Sequence, residues 1–330
     1  MLAMFTRRLS LPARSFLLLG PRGTGKTTWL RRRLPDALWY NLLLDRELLR
    51  LMRSPGTFRQ EVAALPRGSW VVVDEVQKLP SLLNEVHDLL ATAPRRWRFA
   101  LTASSARRLR REDVNLLGGR VVTRRMLPLT LAEAGRETPV DDWLRHGGLP
   151  LVRGERGAAA RIDLLEAYVE TYLTQEIRAE ALVRSLDAFV RFLEVAAVAN
   201  AQVTNVASLA RDAGVARPTV QGYFEVLTDT PIGAWLPAWR PRAKVKETGH
   251  SRFYLFDCGV VRERRPHRAL RPGGRRRRGD AERARLPGDP GGPPVPARGP
   301  ARGLILRAPA PVTGPGCPGS SRSRRPPSRG

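Results

Sequence analysis

Short apolar runs alternate with helix-periodic stretches along the first part of the chain. Residues 15–19 (SFLLL), 37–44 (ALWYNLLL), 69–77 (SWVVVDEVQ) and 97–101 (WRFAL) are compact and largely apolar, as strands buried on both faces are. Between them, residues 27–34, 45–53, 58–65 and 79–90 read as helices. In the last of these, Leu79, Leu82, Leu83, Val86, Leu89 and Leu90 make a single apolar face. Pro35 closes the first helix, and SPG at 54–56 separates the second from the third. A further short strand is expected at 120–124. Strands and helices in this alternation predict a parallel sheet with helices packed on it.

From residue 159 the period changes. Ile162, Leu165, Tyr168, Val169, Tyr172, Leu173 and Ile177 form one helical stripe, and Phe189, Phe192, Leu193 and Ala196 another, with the tyrosines read as core. Residues 205–229 carry a helix-turn-helix pattern. Val206, Leu209 and Ala210 face inward, Gly214 permits the turn, Pro218 opens the second helix, and Val220, Phe224 and Leu227 complete the core. A hairpin bearing Arg240, Arg242, Lys244 and Lys246 follows as a basic wing, and residues 253–261 (FYLFDCGVV) read as a strand. The pattern then stops: residues 263–330 hold 14 Pro and 12 Gly with almost no apolar periodicity. Such a segment buries too little surface to offset its ordering entropy.

Charge changes the picture in one respect. The chain of 330 residues has a net charge of +26, but residues 263–330 alone contain 17 Arg against 4 acidic residues, which is half of that excess. A basic total therefore does not by itself mark the folded part as a nucleic-acid binder. Cys258 and Cys317 are the only cysteines, too few for a disulfide framework or a four-cysteine zinc site. The longest apolar runs fall well short of the ~20 residues a membrane span needs, and no signal-peptide core is present, so a soluble, cytoplasmic protein without a membrane partner is expected.

The chemistry concentrates in GPRGTGKTT at 20–28, which follows the first strand and opens the first helix. Its G-x-x-x-x-G-K-T spacing is that of a phosphate-binding loop. Gly20, Gly23 and Gly25 free the backbone to turn successive N–H groups inward, with Pro21, Arg22, Thr24 and Thr28 completing the cradle. Lys26 is expected between the β- and γ-phosphates of ATP, and Thr27 offers its hydroxyl to Mg2+. Of the 57 basic residues only Lys26, Lys78, Lys244 and Lys246 are lysines, so a lysine where a compact ammonium is required carries weight. The strand at 69–77 ends in Asp74 and Glu75. Asp74 is the expected second ligand of Mg2+, and Glu75 the base that polarises the attacking water. Thr102 and Ser104 end the neighbouring strand. They read either as polar contacts to the γ-phosphate or lytic water, as in P-loop ATPases with an additional strand, or as caps of a helix at 106–111. Arg120 follows two glycines at the sheet edge, either reaching a phosphate in its own or a neighbouring subunit or lying solvated.

GPRGTGKTTWL, VVVDEVQK, LTASSARRLRR, NLLGGR with PLTLAEAG, and HGGLPLV at 146–152 together resemble, in order, a widespread prokaryotic AAA-like ATPase family. The C-terminal half of that family is a domain of unknown function, and the resemblance spans about 16–261. It implies ATP binding and hydrolysis, with Lys26, Thr27, Asp74 and Glu75 at the functional positions. Many relatives carry Gln where this chain has Gly23. Relatives continue into a restriction-nuclease-like region with an acidic residue followed by Glu-x-Lys. Residues 263–330 contain no such constellation, so nuclease activity is not implied here. The abrupt end near Arg262, with Arg, Pro, Gly and Ala prevailing after it, fits out-of-frame translation of GC-rich DNA; a genuine disordered basic tail that binds nucleic acid non-specifically is the other reading.

The expected architecture is an α/β P-loop NTPase domain, AAA-like and built on a parallel sheet, over residues 1–135. A helical linker or lid follows at 136–200, a mainly α winged helix-turn-helix-like domain at 201–262 and a disordered tail at 263–330. The expected function is Mg-dependent binding and hydrolysis of ATP for a protein partner the sequence does not name, with room for a homo-oligomer. The alternative is a nucleotide-gated regulator that contacts DNA through residues 205–246. The exposed residues of its second helix, Arg217, Thr219, Gln221 and Glu225, give a poor charge balance for the major groove.

Overall fold

The computed structural model describes residues 5–106, 109, 119–135, 137–173, 185–238 and 251–265. Contacts divide the chain into Met1–Ala269 and Leu270–Gly330, and every described residue lies in the first unit. The main sheet has five strands: β1 Phe16–Leu19, β2 Leu38–Asn41, β3 Trp70–Asp74, β4 Arg98–Ala103 and β5 Val122–Arg125. All pair in parallel, in the order β2-β3-β4-β1-β5. The register sets Leu18 beside Thr102 and Val73 beside Leu101, so the C-terminal ends of β1, β3 and β4 share one edge. The strands alternate faces as the pleat requires. Leu17, Leu19, Val71, Val73, Phe99 and Leu101 meet Leu51 of α2 (Asp45–Arg53), Phe58 and Val62 of α3 (Gly56–Ala63) and Leu83 and Val86 of α4 (Leu82–Thr92). Phe16, Leu18, Val72 and Ala100 turn the other way, onto Trp29 and Leu30 of α1 (Lys26–Arg33).

The second strand is shorter than the apolar run at 37–44 suggests. The chain turns after Asn41, Leu44 N–H bonding back to Asn41 O, and Leu43 and Leu44 lie on the surface.

Beyond the sheet come α5 Leu131–Ala134, α6 Val140–His146, α7 Pro150–Arg153 and α8 Ala158–Ala167, which runs on as a π-helical turn over Tyr168–Leu173. Helices α9 Leu186–Val198, α10 Val206–Ala213 and α11 Arg217–Asp229 follow. Asn205 caps α10 through Ala207 N–H and Ser208 N–H, and Gly214, at φ 66°, makes the left-handed turn between α10 and α11. Strands β6 Gly233–Leu236 and β7 Arg252–Leu255 form an antiparallel hairpin that shares a core with these three helices through Phe189, Phe192, Leu209, Phe224 and Phe253.

The strand expected over 253–261 ends at Leu255. Asp257 then accepts from Gly259 N–H and Val260 N–H and caps α12, Cys258–Arg264. The expected helix at 106–111 lies largely outside the described residues. So do Ile177, the basic residues 240–246 and the chain from 266 onward. Among the described residues no helix is long and apolar enough to cross a membrane.

Candidate nucleotide site

The loop at 20–28 leaves β1 at the sheet edge where β3 and β4 also end. Gly20 N–H bonds to Ala103 O at 3.2 Å, and a Cβ on Gly20 would stand 2.0 Å from Met126 O, so no side chain fits there. Gly23 and Gly25 take φ of 77° and 85°, the left-handed conformations that the sequence demanded of them. Gly25 caps α1 without a side-chain acceptor, leaving the first-turn N–H groups of that helix uncovered by the cap. Thr24, fully buried, donates its hydroxyl to Pro21 O at 2.8 Å and so braces the bend from inside. Thr28 is exposed at the start of α1.

Lys26 curls back into this loop. Its Nζ donates to Gly20 O at 2.6 Å and Pro21 O at 3.2 Å, and stands 3.7 Å from Glu75 Oε1. Thr27 Oγ1 donates to Asp74 Oδ2 at 2.8 Å. Asp74 Oδ1 accepts from Thr102 Oγ1 at 2.5 Å, and the same Thr102 oxygen accepts Glu75 N–H at 2.8 Å. Glu75 sits at φ 60° in the left-handed region, a conformation that costs a non-glycine residue of order 1–3 kcal/mol and is typical of functional positions. Its Oε2 accepts from Gln77 Nε2 and from Ser104 Oγ, the latter at 3.2 Å. Gln77 Nε2 also donates to Ser104 Oγ at 2.8 Å. Burial pushes the Asp74 carboxyl above its ordinary range, against the hydroxyls of Thr102 and Thr27 and the charge of Lys26; the Glu75 charge adds to the rise.

Lys26, Thr27, Asp74, Glu75, Thr102 and Ser104 therefore come together, from the ends of β3 and β4 and the start of α1. Thr102 and Ser104 direct their hydroxyls to the two acidic residues. Arg120 is not part of the cluster. Val122 pairs with Phe16, so Arg120 lies at the N-terminal edge of the sheet, opposite the loop, where its Nη1 is 3.0 Å from His87 Nε2.

Two contributors were not legible as site residues. Gln77, in the short 3-10 turn Val76–Lys78, is buried and holds Glu75; its only sequence signal was its place two residues after the acidic pair. Tyr168, read as core, donates its hydroxyl to Arg22 O at 3.0 Å.

A parallel sheet with one strand inserted between the phosphate-loop strand and the acidic strand defines an AAA-like P-loop fold. Residues 13–135 match the family model described as an AAA domain, and residues 137–266 match that of a domain of unknown function. The chain thus carries an AAA-type domain followed by a domain of unknown function. No curated protein matches it. Among solved structures, the ORC1 protein of Aeropyrum pernix in complex with DNA is 15% identical over 78% of this chain and 87% of that one. Its TM-score of 0.35 is too low to bear on fold or ligand.

Proposed function

We propose that the chain binds ATP with Mg2+ and hydrolyses it. The observation that carries this reading is the convergence of a buried ammonium, a hydroxyl and two carboxylates on the loop edge. Thr27 and Asp74 are hard oxygen donors of the kind Mg2+ prefers, already 2.8 Å apart. Among the described residues no group of three His, Cys, Asp or Glu is arranged to hold a metal. Thr27 and Asp74 would hold the cation, which would supply neutralisation of charge on the transferring phosphoryl group. The amides of Gly23 to Lys26 and the Lys26 ammonium bind and orient the phosphates. Lys26 must first leave the carbonyls of Gly20 and Pro21, and that movement removes it from Glu75 Oε1. Glu75, steadied at Oε2 by Gln77 and Ser104, then takes the proton of the attacking water.

The test is ATP turnover and nucleotide binding in wild type and in Glu75→Gln. A loss of at least about 100-fold in kcat with affinity retained is expected. Unchanged turnover in Glu75→Gln removes Glu75 as base, and absence of ATP binding in wild type removes the whole reading.

A second reading is favoured by α9, α10 and α11 followed by the β6-β7 hairpin, the element order of a winged helix. In it nucleotide state gates DNA binding, and turnover is secondary. The exposed residues Arg217, Gln221 and Glu225 on α11 nearly cancel in charge, which weakens that reading. Duplex binding by residues 1–265 that falls steeply with salt would favour it.

A further inference from the structure

The region beyond the AAA domain reaches back to the phosphate loop at Tyr168. This side chain is 4% exposed, and its hydroxyl donates to the Arg22 carbonyl at 3.0 Å. Its ring edge stands beside Gly23: Cε2 lies 3.4 Å from where a Gly23 Cβ would stand. The residue also begins the π-helical turn Tyr168–Leu173, a distortion that recurs at functional positions in helices.

The geometry of a trans peptide gives this contact a consequence. Within one peptide unit the C=O and the following N–H point in opposite directions, and the described chain has no cis bond. Holding the Arg22 carbonyl toward Tyr168 therefore holds the Gly23 N–H the other way, away from Tyr168. Gly23 is the first amide of the loop's glycine-rich turn. With φ at 77° and no side chain, its peptide flips more readily than that of any substituted residue. A hydroxyl that fixes one face of that peptide selects one orientation of its N–H.

We propose that Tyr168 is a positioning residue of the nucleotide site. It presets the Gly23 amide for a phosphate, so the cradle is complete only with the region at 137–266 in place. This rests on the ATP reading above. The link runs both ways, because Tyr168 also packs on Phe256, with ring centroids 6.4 Å apart. Phe256 directly precedes Asp257, the cap of α12, and Arg264 at the end of α12 donates to Val169 O at 3.0 Å. Nucleotide in the loop thus steadies Tyr168, and through it α12 and the adjoining hairpin.

Tyr168→Phe in the full chain keeps the ring and removes only the hydroxyl. Four readouts separate the outcomes: affinity for a fluorescent ATP analogue, melting temperature without nucleotide, the gain in melting temperature with nucleotide, and amide exchange of residues 251–265 with and without nucleotide. The expected result is an unchanged nucleotide-free melt, roughly two- to tenfold weaker binding, a smaller nucleotide-induced gain, and reduced nucleotide-induced protection at 251–265. A nucleotide-free melt that falls while affinity holds would make Tyr168 a packing residue and overturn the proposal. So would wild-type affinity and protection in the variant. Failure of the wild type itself to bind the analogue would instead overturn the ATP reading, and the inference with it.

Discussion

Thr102→Val isolates the hydroxyl that both acidic residues share. Valine keeps the shape of a residue that is fully buried, so no cavity opens and the change is confined to hydrogen bonding. Two bonds are lost together: the 2.5 Å donation to Asp74 Oδ1 and the 2.8 Å acceptance of Glu75 N–H. A bond to an ionised group contributes about 1.5–3 kcal/mol, and a buried N–H left without an acceptor costs about 1–3 kcal/mol. Groups in one network do not add fully, so a net loss of about 3 kcal/mol is expected, or roughly 6–12 °C in Tm for a unit of this size. The pH dependence follows from Asp74. Burial holds its folded pKa above the ordinary value, so its contribution is favourable at low pH and is lost as pH rises through the folded pKa. The Thr102 hydroxyl opposes that shift; removing it raises the folded pKa further, and the gap between variant and wild type widens as pH rises. Urea unfolding of nucleotide-free protein across a pH series measures both. A loss below about 0.5 kcal/mol, or a gap that is flat with pH, would refute the shared-hydroxyl account.

The remaining predictions concern the loop and the region behind it. Gly20→Ala drives a methyl group to 2.0 Å from the backbone carbonyl oxygen of Met126, which cannot swing aside, and should cost about 4 kcal/mol or more, seen as lost soluble yield or a collapsed melt. Gly25→Ala meets nothing within 4 Å and bears only the left-handed strain of φ 85°, about 1–2 kcal/mol, so it should fold and lose nucleotide affinity instead. Asp142→Ala strands Arg153, whose side chain is 4% exposed and pairs with Asp142 at 2.6 Å, at a cost of about 3 kcal/mol in urea unfolding. Burial works to raise the Asp142 carboxyl, but the Arg153 bond and the Arg and His partners around it leave it below its ordinary range. Its contribution is therefore present above the ordinary carboxylate pKa of ~4 and lost as pH falls through the lower folded value, so the gap between variant and wild type should close on acidification.

Legibility followed the range of the interactions. The loop at 20–28, the acidic pair and the helix-turn-helix were readable because each is fixed by local spacing: glycines where φ turns positive, carboxylates at a strand end, Gly214 between two periodic stretches. Residues 253–261 misled because a continuous apolar run is the same for a buried strand and a buried short helix. Asp257 inside that run, followed two residues later by a glycine, was the cap signal that distinguishes them. Arg120 was placed at the sheet edge correctly, but which end of a parallel strand it occupied depends on register with β1, which no spacing encodes. Gln77 and Tyr168 act across the fold, on Glu75 and on Arg22, and their roles exist only once distant segments have met.

The C-terminal region carries His146, Asp257 and Cys258 close together, a trio that elsewhere would suggest nucleophilic catalysis. Their bonding here has a different logic. Asp257 Oδ2 accepts Gly148 N–H at 2.6 Å while Oδ1 caps α12, and a Cβ on Gly147 would stand 1.9 Å from Oδ1. Gly259 approaches the His146 backbone just as tightly, 2.6 Å from a hypothetical Cβ to His146 O. His146 Nδ1 is paired with Asp142, not with the thiol, and Cys258 Sγ donates to Trp143 O. Burial, and then the Asp257 charge, push the thiol up to about 11, so it is not a thiolate near neutral pH. These residues knot the turn at 146–149 to α12, and Leu149 of that turn lies beside Gly23 with Tyr168. The glycines at 147 and 259 are demanded by that knot, and Gly148 by the Leu129 carbonyl and the Trp143 ring, 2.5 Å and 2.7 Å from where its Cβ would stand. The region at 137–266 touches the phosphate loop through Tyr168 and Leu149, so the two matched regions are expected to unfold together, in a single urea transition, rather than one by one.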